Sequence, residues 1–126
     1  MYRFLAIASL LLSLSAAASA QLKRNFPADA LRGELVLVAA PEATLNGRPA
    51  RLAPGARIRG QDNLLQMSAG LTGARLQVHY TLDTYGLVRD VWVLRPEELQ
   101  IRPWPRNAAE AANWRFDPIA QTWSRP

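Results

Sequence analysis

Residues that could carry catalysis are few in this chain. His79 is the only histidine, and a nucleophile–histidine–acid set would have to recruit Ser68 or Ser124 together with an aspartate. Neither serine lies in the Gly-x-Ser-x-Gly turn that exposes a catalytic hydroxyl. His79 itself alternates with apolar neighbours, which predicts that it lies on the polar face of a strand, solvated or opposite a cross-strand partner. A small periplasmic hydrolase is therefore kept only as an alternative interpretation.

Metal and cofactor chemistry has no recognisable pattern either. One histidine, no cysteine and scattered carboxylates give no metal-ligand spacing. Glu97 and Glu98 are adjacent rather than facing, so they are poor candidates for a pair of glycosidase carboxylates. No glycine-rich phosphate loop is present. The sequence therefore predicts a protein that is not an enzyme and that uses no metal or cofactor.

Arginine is the residue type that favours a binding function. A stretch without acidic residues runs from position 43 to position 61 and contains Arg48, Arg51, Arg57 and Arg59. These side chains could make one face electropositive towards lipid headgroups or an acidic polysaccharide. The alternative is a solvated basic face, since arginine-rich composition is also typical of GC-rich genomes. Nucleic acid is not an expected partner, because an exported protein rarely meets it.

Aromatic side chains concentrate near the carboxyl end. Trp104, Trp114 and Trp123 lie within the last 23 residues, together with Phe116. Such a segment either packs back on the rest of the domain as a cap or presents a docking surface to a partner. We expect the cap, with Trp114 and Phe116 more buried than the other two side chains, because a core of this size needs further apolar area.

The first 20 residues are predicted to be a signal peptide. Arg3 supplies a positive charge, Phe4 to Leu14 is an apolar run, and Ala18 and Ala20 are small residues where signal peptidase cleaves. Cleavage would make Gln21 the first residue of a periplasmic or secreted protein of 106 residues, with no transmembrane segment. An uncleaved anchor is the rival interpretation, although 17 residues are few for a bilayer span.

The rest of the chain divides into three parts: an entry segment at 21–32, a β domain at 33–94, and a Trp- and Pro-rich extension at 95–126. Alternating apolar residues between short turns predict about six strands in the β domain. Connections too short for crossover helices favour a mainly β fold, a small antiparallel barrel or sandwich. The extension is expected to contain one short helix, at 108–113.

Three turn signals set the expected strand boundaries. Asn46-Gly47 is typical of a two-residue hairpin loop, and Pro54-Gly55 fits the centre of a type II turn. The clearest hairpin has strands at 76–82 and 87–94, joined by Asp83 to Gly86. The segment from 68 to 74, with two glycines, is expected to be a flexible loop.

Two resemblances bear on function. The chain resembles small exported proteobacterial proteins of uncharacterised activity in four segments: Asn25–Pro27, Ala30–Gly33, Thr44–Gly47 and Pro54–Gly60. The segments Thr81–Val91 and Trp114–Pro118, with Ala111 between them, resemble the TonB carboxy-terminal domain. In that family a hairpin with an Asp-x-x-Gly turn precedes a helix and a Trp-Arg-Phe-x-Pro segment. The second resemblance implies a periplasmic domain that binds a strand of a receptor by edge addition.

These observations favour an exported, non-enzymatic protein of the cell envelope that acts as a binding module or structural accessory. Its expected partner is another envelope protein or an anionic envelope component. A TonB-like partner-binding domain and a small periplasmic hydrolase are the alternatives.

Overall fold

The computed structural model describes residues 22–126, so the predicted signal peptide, with Ala18, Ala20 and Gln21, lies outside the described residues. The described chain is mainly β, as predicted, with six strands in one sheet and two in a separate pair. The strands are β1 (Leu31–Ala39), β2 (Glu42–Leu45), β3 (Arg48–Arg59), β4 (Leu65–Gln66), β5 (Arg75–Leu82), β6 (Val88–Val93), β7 (Arg115–Asp117) and β8 (Thr122–Ser124). A 3-10 helix spans Ser68–Leu71, and two short α-helices are α1 (Pro96–Leu99) and α2 (Ala108–Asn113).

Two of the predicted turns are confirmed. Asn46 and Gly47 both have positive φ, which is what a two-residue turn between β2 and β3 requires of them. Asp83 opens the β5–β6 turn, where its carboxylate accepts hydrogen bonds from the backbone N–H groups of Tyr85 and Leu87. The 68–74 segment, expected to be an irregular loop, contains the 3-10 helix.

The prediction of a type II turn at Pro54-Gly55 is wrong. Strand β3 runs through these residues, and its ladder with β6 is interrupted between Leu52 and Arg57. Proline has no N–H for the ladder, and Gly55 has φ +76°, so the two residues bend the strand without reversing it. The bend lets the first half of β3 pair with β2 and the second half with β6.

The sheet is mixed, and in this respect the antiparallel prediction is wrong. Its order is β2-β1-β5-β6-β3-β4, and β2 also pairs with β3. The β3–β6 pair is parallel because the chain passes through β4, the 3-10 helix and β5 before it returns beside β3. The pairings form a cycle, but the interruption in β3 leaves the sheet short of a closed barrel.

The inner face of the sheet carries an aliphatic core. Its buried members come from β1, β2, β3, β5 and β6. They are Leu31, Leu35, Leu37, Ala43, Leu52, Ile58, Val78, Tyr80, Val88 and Val91.

The outer face carries a row of large polar and aromatic residues in register. Arg32 on β1 lies opposite His79 on β5, His79 opposite Trp92 on β6, and Trp92 opposite Arg59 on β3. A second buried cluster forms on this face from the N-terminal segment and the C-terminal extension: Phe26, Ala30, Leu94, Trp104 and Trp123. The extension holds two helices instead of the one predicted, and it also holds the β7–β8 pair, which the sequence analysis missed.

Candidate functional site

The tryptophans of the extension are buried in the opposite order to the one predicted. Trp104 and Trp123 are only 5% and 7% exposed, whereas Trp114 and Phe116 are half-buried. Trp104 lies between two prolines in an extended segment that crosses the outer face, and its indole N–H donates to the carbonyl of Ala30 at 2.9 Å. Trp114 ends α2, and the guanidinium of Arg125 lies 5.1 Å from the centre of its ring.

His79 is not solvated, but it does lie opposite a cross-strand partner, Arg32, which was the other predicted outcome. Its side chain is 1% exposed, because Trp104 stacks on the imidazole at 4.1 Å and Phe26 meets it edge-on at 4.4 Å. The alternation along β5 was interpreted correctly, but the polar face of the strand is covered by distant parts of the chain. The residue is therefore packed as part of the second cluster.

The protonation state of His79 follows from this packing. Burial lowers its pKa to about 2, and the charges of Arg32 and Arg24 act in the same direction. Nε2 lies 3.2 Å from Nε of Arg32 and accepts from it, so the neutral ring carries its proton on Nδ1. That second nitrogen is buried and has no partner within the described residues. The imidazole thus serves as an acceptor for Arg32, and no hydrogen bond in residues 22–126 joins it to a serine.

A buried ion pair fastens the N-terminal segment to the sheet. Arg24 donates from Nε to a carboxylate oxygen of Glu98 at 2.9 Å, and its other nitrogens reach Glu98 again and the carbonyls of Gly60 and Val93. Burial by itself raises the pKa of Glu98. Hydrogen bonds from Arg24 and from the backbone N–H of Arg95 lower it by more than burial raises it, so the pKa of Glu98 is below its usual value. The sequence analysis considered Glu98 only as half of an adjacent carboxylate pair and missed Arg24 altogether.

Arg32 lies in a different electrostatic situation. Its guanidinium donates to the carbonyls of Glu98 and Ile101, at 3.0 and 2.8 Å, and to His79. All of these acceptors are neutral, and within residues 22–126 no carboxylate forms a salt bridge with it. Burial lowers the pKa of Arg32 to about 10, and the positive charge of Arg102 lowers it as well, whereas the negative charge of Glu98 raises it by a smaller amount. The structure therefore holds a half-buried cation without a contacting anion.

Arg32 lines a cleft of about 330 Å³ between the β1–β5 part of the sheet and the C-terminal extension. We call this the arginine–tryptophan cleft, after its charged and aromatic lining: Arg32, Arg102, Arg106, Arg125, Glu110, Trp104 and Trp114. Four guanidinium groups face one carboxylate there, which gives a net lining charge of +3. Such a lining attracts carboxylates and phosphates, both of which the planar guanidinium can bind with two parallel hydrogen bonds.

The extended Arg102-Pro103-Trp104-Pro105-Arg106 segment builds one wall of this cleft. The hydroxyl of Tyr80 holds it in place by donating to the carbonyl of Arg106 at 3.0 Å, and the backbone N–H of Arg32 donates to Pro105 at 2.8 Å. In the sequence, this segment was singled out only for its aromatic residue Trp104. Its two flanking arginines were the signal that could have revealed a basic site.

The four arginines predicted to form one electropositive face are spread along β3. Arg51 pairs with Glu42 at 3.4 Å, and Arg48 lines an open groove of about 510 Å³ beside Arg106. Arg57 lies opposite Asp90, whereas Arg59 lines another groove, of about 700 Å³. The strand thus places these side chains in separate surroundings and does not gather them into one cluster.

Comparison with protein-family models, with curated proteins and with solved structures gives no match. Among residues 22–126, no helix is long and apolar enough to cross a membrane. The same residues contain no group of three or more His, Cys, Asp or Glu side chains placed to hold a metal ion. The functional argument therefore depends on the chemistry of the cleft.

Proposed function

We propose that this protein is an exported, non-enzymatic binding module of the cell envelope, and that it holds an anionic group of an envelope component in the arginine–tryptophan cleft. The observation that carries the proposal is the half-buried guanidinium of Arg32, which has neutral hydrogen-bond partners only and faces three further arginines.

The energetics of a buried charge support an anionic ligand. Removing a cation from water is costly unless an opposite charge compensates it, and the lowered pKa of Arg32 reflects that cost. A carboxylate or phosphate in the cleft would provide the compensating charge and would also reduce the repulsion between Arg32 and Arg102. The exposed side chains of Arg102, Arg106 and Arg125 are free of salt bridges within the described chain and are available to fork onto the ligand.

The remaining parts of the proposal come from the sequence and from the packing of His79. The signal-peptide pattern supports export to the periplasm or beyond, and hence an envelope component as the ligand. The imidazole is buried, neutral and engaged by Arg32, which supports a structural role for the one residue best suited to acid–base catalysis. Strand addition at the TonB-like hairpin is not proposed, since β5 and β6 are both interior strands of the sheet.

Binding is tested by replacing the three exposed arginines of the cleft by glutamine, as Arg102→Gln, Arg106→Gln and Arg125→Gln in one variant. A galacturonic acid oligomer supplies carboxylates and inorganic phosphate supplies the other anion. Trp114 and Trp104 report binding through their fluorescence. We expect saturable binding of at least one probe by the native protein. The triple variant should bind more than about tenfold more weakly, because a hydrogen bond to a charged group contributes about 1.5–3 kcal/mol.

The matched control changes three exposed arginines outside the cleft, as Arg51→Gln, Arg75→Gln and Arg89→Gln, and so removes the same net charge. It should bind as the native protein does. Equal weakening in both variants would show a diffuse charge effect, and absence of binding of either probe would refute the cleft as an anion site.

Export has its own test. The intact mass of protein recovered from periplasm should correspond to a chain that begins at Gln21. Recovery of a full-length, membrane-embedded chain would contradict this part of the proposal.

A further inference from the structure

One end of the sheet exposes large apolar side chains next to arginines. Leu64, Leu65 and Met67, in and beside β4, are 65%, 63% and 83% exposed, and Leu22 is 88% exposed. The guanidinium of Arg95 donates to the carbonyls of both Leu22 and Gln61, which places Leu22 beside the β3–β4 loop. These four side chains are half of the eight exposed large hydrophobic residues in the described chain, and we call them the apolar edge.

The apolar edge is held in a defined position by its own backbone. The backbone N–H of Gly60 donates to the carbonyl of Leu64, and the backbone N–H of Asn63 donates to the carbonyl of Gly60, each at 2.9 Å. The carboxylate of Asp62 accepts from the N–H of Leu64 at 3.1 Å. These bonds close a turn that presents the leucines to solvent, so their exposure results from the fold of this loop.

Basic residues border the apolar edge on the side of β3 and of the N-terminal segment. Arg59 lies directly opposite Leu65 in the β3–β4 pair, and it lines the 700 Å³ groove together with Lys23 and Leu22. Arg57, two residues before Arg59 in β3, lies on the same face of that strand. Asp62 is engaged in the turn, and Asp90, opposite Arg57, is engaged by Thr81 and Arg89.

We infer that the apolar edge docks the protein on an anionic lipid surface. Leu22, Leu64, Leu65 and Met67 would enter the interfacial region, and Lys23, Arg57 and Arg59 would contact lipid phosphates. Exposed apolar side chains bordered by basic ones are the combination that binds proteins to anionic membrane surfaces without spanning them. This inference is independent of the proposed ligand site, because the cleft is built by β1, β5 and the C-terminal extension, whereas β4 lies at the end of the sheet order.

The size of the apolar edge favours lipid over protein. Its four residues expose an area on the order of 500 Å², less than the roughly 800 Å² per partner of a stable protein interface. With only two residues in β4, the strand is also short for adding a partner strand. A lipid surface needs neither a large complementary patch nor a long edge.

The test is cosedimentation of the exported protein with vesicles of phosphatidylcholine and phosphatidylglycerol at low and high salt. We expect binding at low salt that weakens as salt rises. Leu64→Ser, Leu65→Ser and Met67→Ser in one variant should reduce binding more than about tenfold, since each loses buried apolar area in the bilayer interface. The Arg57→Gln, Arg59→Gln variant should bind more weakly and depend less on salt.

The control replaces three exposed apolar residues elsewhere, as Val38→Ser, Tyr85→Ser and Ile119→Ser, and should bind as the native protein does. The triple variant of the cleft should keep most of its vesicle binding, which separates this inference from the proposed function. Failure of the native protein to bind the anionic vesicles at low salt would overturn the inference. So would a native dimer that the apolar-edge variant converts to a monomer, because the occupant would then be a second copy.

Discussion

The inner face of the six-stranded sheet is buried, whereas the outer face is covered only around Arg32, His79 and Trp92, and the two faces are covered by different chemistry. On the inner face, aliphatic side chains such as Leu35, Val78 and Val91 pack against each other and carry no polar atoms. On the outer face, Arg32 and His79 are covered by aromatic rings. Arg32 donates to carbonyls and to His79, whose Nδ1 has no partner within the described residues. Alternation along a strand therefore predicts which residues share a face, but not whether the polar face meets water.

The difference also separates two kinds of stabilisation. The inner face depends on apolar area and on the absence of voids. The outer face depends on keeping each buried charge and donor with its partner, because an orphaned group costs more than its hydrogen bond contributed. The predictions below test this distinction, beginning with the largest effect.

Truncation after Arg95 should have the largest effect. It removes Trp104 and Trp123, uncovers His79, and leaves Arg24 without Glu98. Loss of one buried tryptophan alone costs about 3–5 kcal/mol, and small domains are stable by only about 5–15 kcal/mol, so we expect the truncated chain not to fold cooperatively. Urea unfolding followed by near-ultraviolet circular dichroism measures this. A cooperative transition at the native midpoint would show that the inner face suffices.

The substitution Glu98→Gln should cause the next largest loss of stability. It leaves the buried guanidinium of Arg24 without a counter-charge, at a cost of about 3–5 kcal/mol in the free energy of unfolding. Glu97→Gln is the matched control, because the neighbouring side chain is exposed, and its effect should stay within about 0.5 kcal/mol. Equal effects of the two substitutions would contradict the assigned role of the ion pair.

His79 should make stability depend on pH. Its pKa is about 2 in the folded protein and about 6.5 when unfolded, so below pH 6.5 the unfolded chain binds a proton that the folded chain does not. The contribution of His79 to stability is therefore complete well above pH 6.5 and falls as pH decreases, by about 1.6 kcal/mol between pH 6.5 and pH 5. Urea unfolding at the two pH values measures the difference.

The control for this prediction is His79→Gln, which keeps a hydrogen-bond acceptor but does not titrate. Its stability should change little over the same pH interval. A decrease below pH 4.5 should persist in both proteins, because the lowered pKa of Glu98 acts in the same direction at lower pH. An unchanged slope in the variant would assign the pH dependence to another group.

The smallest effect is expected on β3. Arg57→Gln with Arg59→Gln should change the free energy of unfolding by about 1 kcal/mol or less, since neither arginine forms a salt bridge within the described chain. Ile58→Ala, between them, should cost about 2–5 kcal/mol, because Ile58 belongs to the inner core. A larger loss from the arginine pair than from Ile58→Ala would reverse the assignment of faces on this strand.

Local patterns predicted much of the fold. The alternation along β3 and β5, the turn at Asn46-Gly47, the β5–β6 hairpin and the helix Ala108–Asn113 all depend on residues close in sequence, and each is present. The strand through Pro54-Gly55 and the parallel β3–β6 pair were missed because they depend on pairing between segments some 35 residues apart, roughly the separation of Arg57 and Asp90. Helix α1, of four residues, is too short to show a helical period.

The site was less predictable than the fold. Trp104 and Trp114 were singled out from the sequence, but their arginine neighbours come from β1 and from both ends of the extension. Arg32 and Arg125 are 93 positions apart, so no local spacing could have joined them. The buried state of His79 was missed for the same reason, since the segment that covers β5 follows 25 residues later at Trp104.

The most direct test of the anion-binding cleft is a nuclear magnetic resonance titration with the galacturonic acid oligomer and with phosphate. The indole N–H signals of the four tryptophans report where each probe binds. Trp104 and Trp114 line the cleft, whereas Trp92 lines the separate 700 Å³ groove. We predict saturable shifts of the Trp104 and Trp114 signals with at least one probe, and little change at Trp92. Shifts confined to Trp92, or no saturable shift with either probe, would contradict the account.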